Sequence, residues 1–104
     1  MGFILVFMTA SNEAKAAGII HHLLERRLIA CGNIISNVQS QYWWKGRIEE
    51  AKECLALMKT SKEKFKEIKD AVKTLHSYET PELIALPIKD GLQPYLDWIE
   101  TSLQ

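Results

Sequence analysis

The spacing of hydrophobic positions along this chain switches between the pattern of strands and the pattern of helices. Residues 3–8 are a continuous apolar run, Phe-Ile-Leu-Val-Phe-Met, rich in β-forming side chains. Such a run predicts a strand that is covered on both faces, or on one face by the chain and on the other by a partner. Ser11 and Asn12 then suit a turn with a helix N-cap, and apolar residues at helical spacing predict a first helix over residues 12–28.

Residues 30–59 predict a β-hairpin that is long for a small domain. Asn37 is expected to interrupt the first strand as a bulge. Beyond it, alternate side chains fall on one face: Val38, Ser40, Tyr42 and Trp44. Lys45 and Gly46 suit the tight turn because glycine accepts a positive φ. The three adjacent aromatic residues at positions 42–44 exceed what one core of this size is expected to cover, which indicates an interface.

The second half of the chain predicts two helices and a strand. Thr60 and Ser61 are expected to cap a helix that ends near His76, with one apolar face: Phe65, Ile68, Val72 and Leu75. Residues 83–88 predict a fourth strand, whose Pro87 places that end at an edge or a bulge. Asp90 and Pro94 introduce a last helix with an apolar side: Tyr95, Leu96, Trp98, Ile99 and Leu103.

The order of these elements predicts an α+β fold. It is the ferredoxin-like split βαβ arrangement, β-α-β-β-α-β with an added C-terminal helix, built on an antiparallel sheet in one domain over residues 1–104. Two helices cover one face of such a sheet, and only the last helix is left for the other face. Together with the aromatic hairpin, this predicts packing between copies. The fold itself specifies no function.

The charge balance of the chain argues against several classes of binding partner. Thirteen Lys and Arg balance thirteen Asp and Glu, and the pI is about 6.8, so no basic surplus supports nucleic-acid or membrane-surface binding. Zero net charge also makes self-association easier. No apolar run approaches the roughly 20 residues of a spanning helix, and no signal peptide is recognised. With two cysteines, both expected to be small core residues, we expect a cytoplasmic protein with reduced thiols.

No catalytic signature appears in the sequence, so an enzyme is not expected. The side chains that could bind a metal or a small molecule are concentrated in residues 76–82. His76 precedes two carboxylates and the phenol of Tyr78 within this segment. Imidazole and carboxylate bind divalent metals, although a histidine at a helix end also interacts with the last carbonyl groups. Cys31 is a stronger candidate for a metal ligand if the fold brings it close to His76. His21 and His22 are interpreted as ordinary helix residues.

Five segments of the chain, in this order and spacing, resemble one known family. They are the A-C-x-N-I pattern at residues 30–34, Y-x-W-x-G at 42–46, K-T at 59–60, H-x-Y-x-x-P-E at 76–82 and Y-L-x-W at 95–98. The chain is similar over residues 3–102 to the CutA family of divalent-cation tolerance proteins. The resemblance implies a tight homotrimer with hairpins pairing between subunits, a link to copper and other divalent cations, and no enzymatic reaction.

The resemblance also implies site residues, position by position. Three match candidate metal ligands for Cu²⁺ or another divalent cation, which folding does not require: His76, Cys31 and Glu82. Five match residues that line a cleft between subunits or pack the trimer: Tyr42, Trp44, Lys59, Glu53 and Tyr78. Met8 and Leu75 stand where some members carry a cysteine and a second histidine.

Two alternatives to metal binding stay open. One is a trimeric signalling or sensor module similar to the PII regulators, with a small ligand between subunits near Lys59 and His76. The other is a structural trimer that anchors another protein, whose mark would be an apolar patch left exposed after assembly.

Overall fold

Eight elements follow one another in the computed structural model, which describes residues 2–104. They are β1 (Phe3–Ala10), α1 (Glu13–Glu25), β2 (Cys31–Trp44), β3 (Arg47–Ser61), a 3-10 turn (Lys62–Lys64), α2 (Phe65–Leu75), β4 (Leu83–Pro87) and α3 (Gln93–Ser102). The strands form one sheet in the order β2-β3-β1-β4, and each neighbouring pair is antiparallel. The predicted α+β fold, β-α-β-β-α-β with a C-terminal helix, is therefore confirmed.

The main core lies between one face of the sheet and the helices α1 and α2. Successive strand residues point to opposite faces, so every second residue of β1 enters this core. The sheet contributes Ile4, Val6, Met8, Ala56 and Met58, and the helices contribute Ile19, Ile20, Leu23, Ile68, Ala71 and Val72. Met8 is completely buried there. A thioether on this face has no access to the opposite face, where the candidate residues lie.

The first helix begins as predicted and ends earlier than predicted. Asn12 is its N-cap, with a side-chain oxygen that accepts a hydrogen bond from the Lys15 amide at 2.8 Å. The helix ends at Glu25 rather than residue 28, because Arg27 takes a positive φ of 58°. That left-handed residue redirects the chain so that Leu28 and Ile29 enter the core.

The hairpin of β2 and β3 has the predicted bulge and turn. Its register shifts between Ile35 and Val38, with Asn37 at a φ of 60°. Lys45 and Gly46 form the turn, both at positive φ. Gly32 is required by close packing, because a Cβ at this position would lie 2.7 Å from Cγ2 of Ile20. The pairing of β2 and β3 continues far beyond β1, which gives the protomer its long dimension of 44 Å against 25 and 22 Å.

Two predictions for the second half were wrong in detail. Thr60 lies inside β3, where its hydroxyl donates to the Leu28 carbonyl, and Ser61 makes no side-chain cap for the turn that follows. Leu96 and Ile99 of α3 and Leu103, the residue after it, face the core, whereas Tyr95 and Trp98 are exposed. Pro87 does end the edge strand β4, as expected. No helix within residues 2–104 is long and apolar enough to cross a membrane.

Candidate functional site

The strand register places most of the candidate residues on one face of the sheet, opposite α1 and α2. Odd-numbered residues of β3 point to this face, which we call the open face, and they include Glu53 and Lys59. Cys31 lies directly opposite Lys59, and Tyr42 and Trp44 lie opposite the odd-numbered residues Glu49 and Arg47. Helix α3 packs near Phe3 at one end of the face and leaves the middle uncovered.

The uncovered middle of the open face is apolar. Leu5 and Phe7 of β1 and Leu55 and Leu57 of β3 are partly buried there, because their neighbours in the same sheet cover only part of them. The outer strands add three half-exposed aliphatic side chains: Ile35 at 47%, Ile84 at 51% and Leu86 at 48%. A contiguous apolar strip of this kind, with polar groups at both ends, is typical of an interaction surface.

Both ring nitrogens of His76 are hydrogen-bonded to backbone groups. The Tyr78 amide donates to Nδ1 at 3.0 Å, and Nε2 lies 2.7 Å from the Thr9 carbonyl oxygen. A nitrogen that accepts an N–H carries no proton, so Nε2 is the protonated nitrogen and donates to Thr9. The imidazole is thus neutral and ties the segment after α2 to the end of β1. A metal ion at either nitrogen would have to replace one of these bonds.

Tyr78 connects the same segment to the open face. Its hydroxyl donates to Oε2 of Glu53 at 2.7 Å, and its ring lies 4.7 Å from that of His76, centroid to centroid. Burial, followed by the hydrogen bond and the negative charge of Glu53, raises the pKa of Tyr78. This phenol therefore stays protonated and continues to donate to the nearly buried Glu53 carboxylate.

Cys31 and Lys59 form a second polar group at the other end of the open face. The Lys59 Nζ lies 3.9 Å from the Cys31 Sγ and donates a hydrogen bond to Oδ1 of Asn33, which also accepts from the thiol at 3.7 Å. Although Tyr95 is exposed, partial burial of its phenol, with the adjacent Cys31 thiol adding to it, raises the pKa of Tyr95. The prediction that Cys31 is a core residue was therefore wrong: its thiol is half-buried among polar groups.

The predicted metal ligands do not converge within a protomer. Lys59 of β3 pairs with Cys31 on one side and with Leu5 of β1 on the other, so Cys31 is level with Leu5. His76 contacts Thr9, which is four residues further along β1. At the rise of a strand this separates the two groups by about 13 Å. Glu82 is exposed beside the His76 end, since it precedes the first residue of β4. Within residues 2–104, no three His, Cys, Asp or Glu side chains are arranged to hold a metal ion.

The aromatic residues of the hairpin occupy its far end. Tyr42 and Trp44 lie on the open-face side and are exposed, and the Lys45 ammonium lies 5.8 Å from the centre of the Trp44 ring. Trp43, directly opposite Ile48, points to the other side of the hairpin. The protomer provides no core for these rings, as the sequence predicted.

Sequence reasoning missed two side chains of the Cys31 group. Asn33 is two residues after Cys31 in the same strand, so strand alternation alone places both on one face and was a usable signal. Tyr95 gave no such signal, because its contact depends on how α3 packs across the sheet.

Comparisons with known proteins identify the same family over nearly the whole chain. The family model of the CutA1 divalent ion tolerance protein matches residues 4–102. The divalent-cation tolerance protein CutA of Thermotoga maritima is 45% identical over 96% of this chain and 98% of its own length. Its counterpart in Archaeoglobus fulgidus is 43% identical over 95% and 96% of the two chains. The human protein CutA is 43% identical over 89% of this chain, which spans 52% of the human protein.

Solved structures agree with the fold as well. The structure described as the periplasmic divalent cation tolerance protein CutA from Archaeoglobus fulgidus superimposes with a TM-score of 0.95 at 42% identity, covering 98% of this chain and 99% of that one. CutA1 from Oryza sativa gives a TM-score of 0.94 at 34% identity, covering 98% and 94%.

Proposed function

Since the chain belongs to the CutA1 divalent ion tolerance protein family, we propose that it is a non-enzymatic, trimeric cation-tolerance protein whose ligands bind at the open face. The observation that carries the proposal is the strand register, which aligns Cys31, Lys59, Glu53 and Tyr42 on one uncovered face. The relatives named as divalent-cation tolerance proteins support a divalent cation as the ligand.

The apolar strip supports assembly through this face. Ile35, Ile84 and Leu86 would leave water on contact with another copy, and the hairpin rings would gain a surface to pack against. Sedimentation of the whole chain is expected to give a species of about three times the 11.9 kDa protomer. A stable monomer at micromolar concentration would contradict the proposal.

Cu²⁺ or another divalent cation is the proposed ligand, with donors drawn from His76, Cys31 and Glu82. Because these groups are separated within one protomer, binding at full coordination uses donors from adjacent copies. Calorimetry with Cu²⁺ and with Zn²⁺ tests each donor through His76→Ala, Cys31→Ser and Glu82→Gln. His21→Ala is the matched control, since its imidazole is exposed on α1. If all variants gave the wild-type isotherm, this donor set would be rejected.

A small-anion sensor is the second candidate, and Lys59 favours it. Its ammonium is half-buried on the open face, and no carboxylate of residues 2–104 lies within ion-pair distance of it. An uncompensated cation at a subunit cleft suits a phosphate or carboxylate ligand. A thermal-shift screen with nucleotides and small anions tests this. The variant Lys59→Gln, which lacks the positive charge, is screened beside the wild type. The absence of stabilisation by every anion would eliminate it.

We also propose a cytoplasmic location. Both cysteines are free and too far apart to pair, which suits a reducing compartment. Fractionation of cells that express the whole chain distinguishes the cytosol from an envelope compartment.

A further inference from the structure

Cys31 and Lys59 are directly opposite each other on neighbouring antiparallel strands. Their side chains share the open face, and the Lys59 Nζ is 3.9 Å from the Cys31 Sγ. Paired residues in such a ladder are held with their Cβ atoms about 5 Å apart. The flexible lysine stem can therefore bring its nitrogen onto the sulfur without any movement of the backbone.

Both groups are already ordered by a common neighbour. Oδ1 of Asn33 accepts hydrogen bonds from the Lys59 ammonium and from the Cys31 thiol. No carboxylate of the described chain, residues 2–104, forms an ion pair with Lys59. The amine thus lies beside both Asn33 Oδ1 and the Cys31 sulfur, and no opposite charge holds it elsewhere.

The second cysteine of the chain is out of reach. Cys54 is buried and has the opposite orientation in β3, five residues from Lys59, which is about 16 Å along the strand. A disulfide requires Cα atoms within about 7 Å. Within a protomer, the amine of Lys59 is therefore the nucleophile best placed to meet an oxidised Cys31.

We propose that Cys31 and Lys59 are a redox-responsive pair that hydrogen peroxide converts into a sulfur–nitrogen bond. In the first step the Cys31 sulfur transfers two electrons to peroxide: the O–O bond breaks, one oxygen forms a sulfenic acid and the other leaves as water. In the second step the Lys59 ammonium gives up one proton to water, and the resulting neutral amine attacks the sulfur. The S–N bond forms, the S–O bond breaks, and the hydroxyl leaves with a proton from nitrogen as a second water.

The bond would change the electrostatics of the open face. A sulfenamide nitrogen carries no positive charge, so the cation that donates to Asn33 disappears and the amide oxygen loses a donor. A thiol reductant supplies two electrons and regenerates both side chains. The pair thus acts as a reversible control of charge at this end of the face, whichever ligand the face binds.

The test treats the assembled, full-length protein with hydrogen peroxide and measures its intact mass. Formation of the bond removes two hydrogen atoms, a loss of about 2 Da, whereas a sulfenic acid adds about 16 Da. We expect the loss, a tryptic peptide that links Cys31 to Lys59, no cleavage after Lys59, and full reversal by reductant.

Two lysine variants separate the pair from general oxidation. Lys59→Arg keeps the positive charge but has no primary amine, so it should stop at sulfenic acid and be labelled by dimedone at Cys31. Lys52→Arg, also in β3, should behave like the wild type. The proposal would be overturned if the wild type gained oxygen without a linked peptide, or formed Cys31–Cys31 disulfides between copies. It would also be overturned if Lys59→Arg lost the same mass as the wild type.

Discussion

The hydrogen bond from Tyr78 to Glu53 joins the segment after α2 to the open face, and Tyr78→Phe removes it without changing the shape of the ring. Glu53 as a whole residue is only 8% exposed, so water cannot fully replace the lost donor. Hydrogen bonds to charged groups contribute about 1.5–3 kcal/mol. We expect the free energy of unfolding to fall by about that amount at neutral pH.

Chemical denaturation at a fixed protein concentration measures this loss, since association makes stability concentration-dependent. Tyr42→Phe is the matched control: it also removes a hydroxyl from the open-face side, but that hydroxyl makes no hydrogen bond within residues 2–104. Its effect should stay within about 0.5 kcal/mol. Equal effects of the two variants would refute the reasoning.

The pH dependence gives an independent check on the same contact. Burial and Glu53 raise the pKa of Tyr78 in the folded protein, while a tyrosine in the unfolded chain ionises near pH 10. The contribution of Tyr78 is therefore complete below about pH 10 and is lost as the pH rises from there towards the folded pKa. The deficit of Tyr78→Phe relative to the wild type should narrow above pH 10. A deficit that is constant across this range would contradict the assignment.

The remaining predictions concern packing around the hairpin. Gly32→Ala places a Cβ 2.7 Å from Ile20 and should destabilise the protein by about 1–3 kcal/mol in a denaturation curve. Gly18→Ala, in α1 with nothing within 4 Å, should stabilise it by about 0.5–1 kcal/mol; the same sign for both would contradict the packing argument. Thr60→Val removes a 2.6 Å bond to the Leu28 carbonyl and should cost about 1–3 kcal/mol by the same measurement, whereas a change below about 0.5 would show that the bond contributes little.

Features fixed by neighbouring residues were predictable from the sequence. The bulge at Asn37 and the turn at Lys45 and Gly46 follow from strand alternation and from asparagine and glycine, which tolerate positive φ. The end of α1 was not predictable, because Leu28 continues the helical spacing while the core draws it out of the helix. The apolar character of Trp98 led to the wrong prediction that its side chain is buried, whereas it is exposed in the protomer.

The candidate site was predictable only in part. The resemblance supplied His76 and Cys31, but not that the sheet separates them, since that distance depends on the pairing of strands far apart in sequence. The hydrogen bond between His76 Nε2 and the Thr9 carbonyl joins residues 67 positions apart in the chain. Such long-range contacts leave no periodic pattern in the sequence.

The projecting part of the hairpin has a consequence for how the chain opens. β1 ends opposite Cys54, so residues 38–44 and 47–53 pair only with each other. A two-stranded ribbon is marginally stable in water. In an isolated protomer its amide protons should exchange through local opening, long before those of the sheet beneath the helices. Exchange rates along the ribbon are therefore a residue-level measure of assembly, because protection there has to come from another copy.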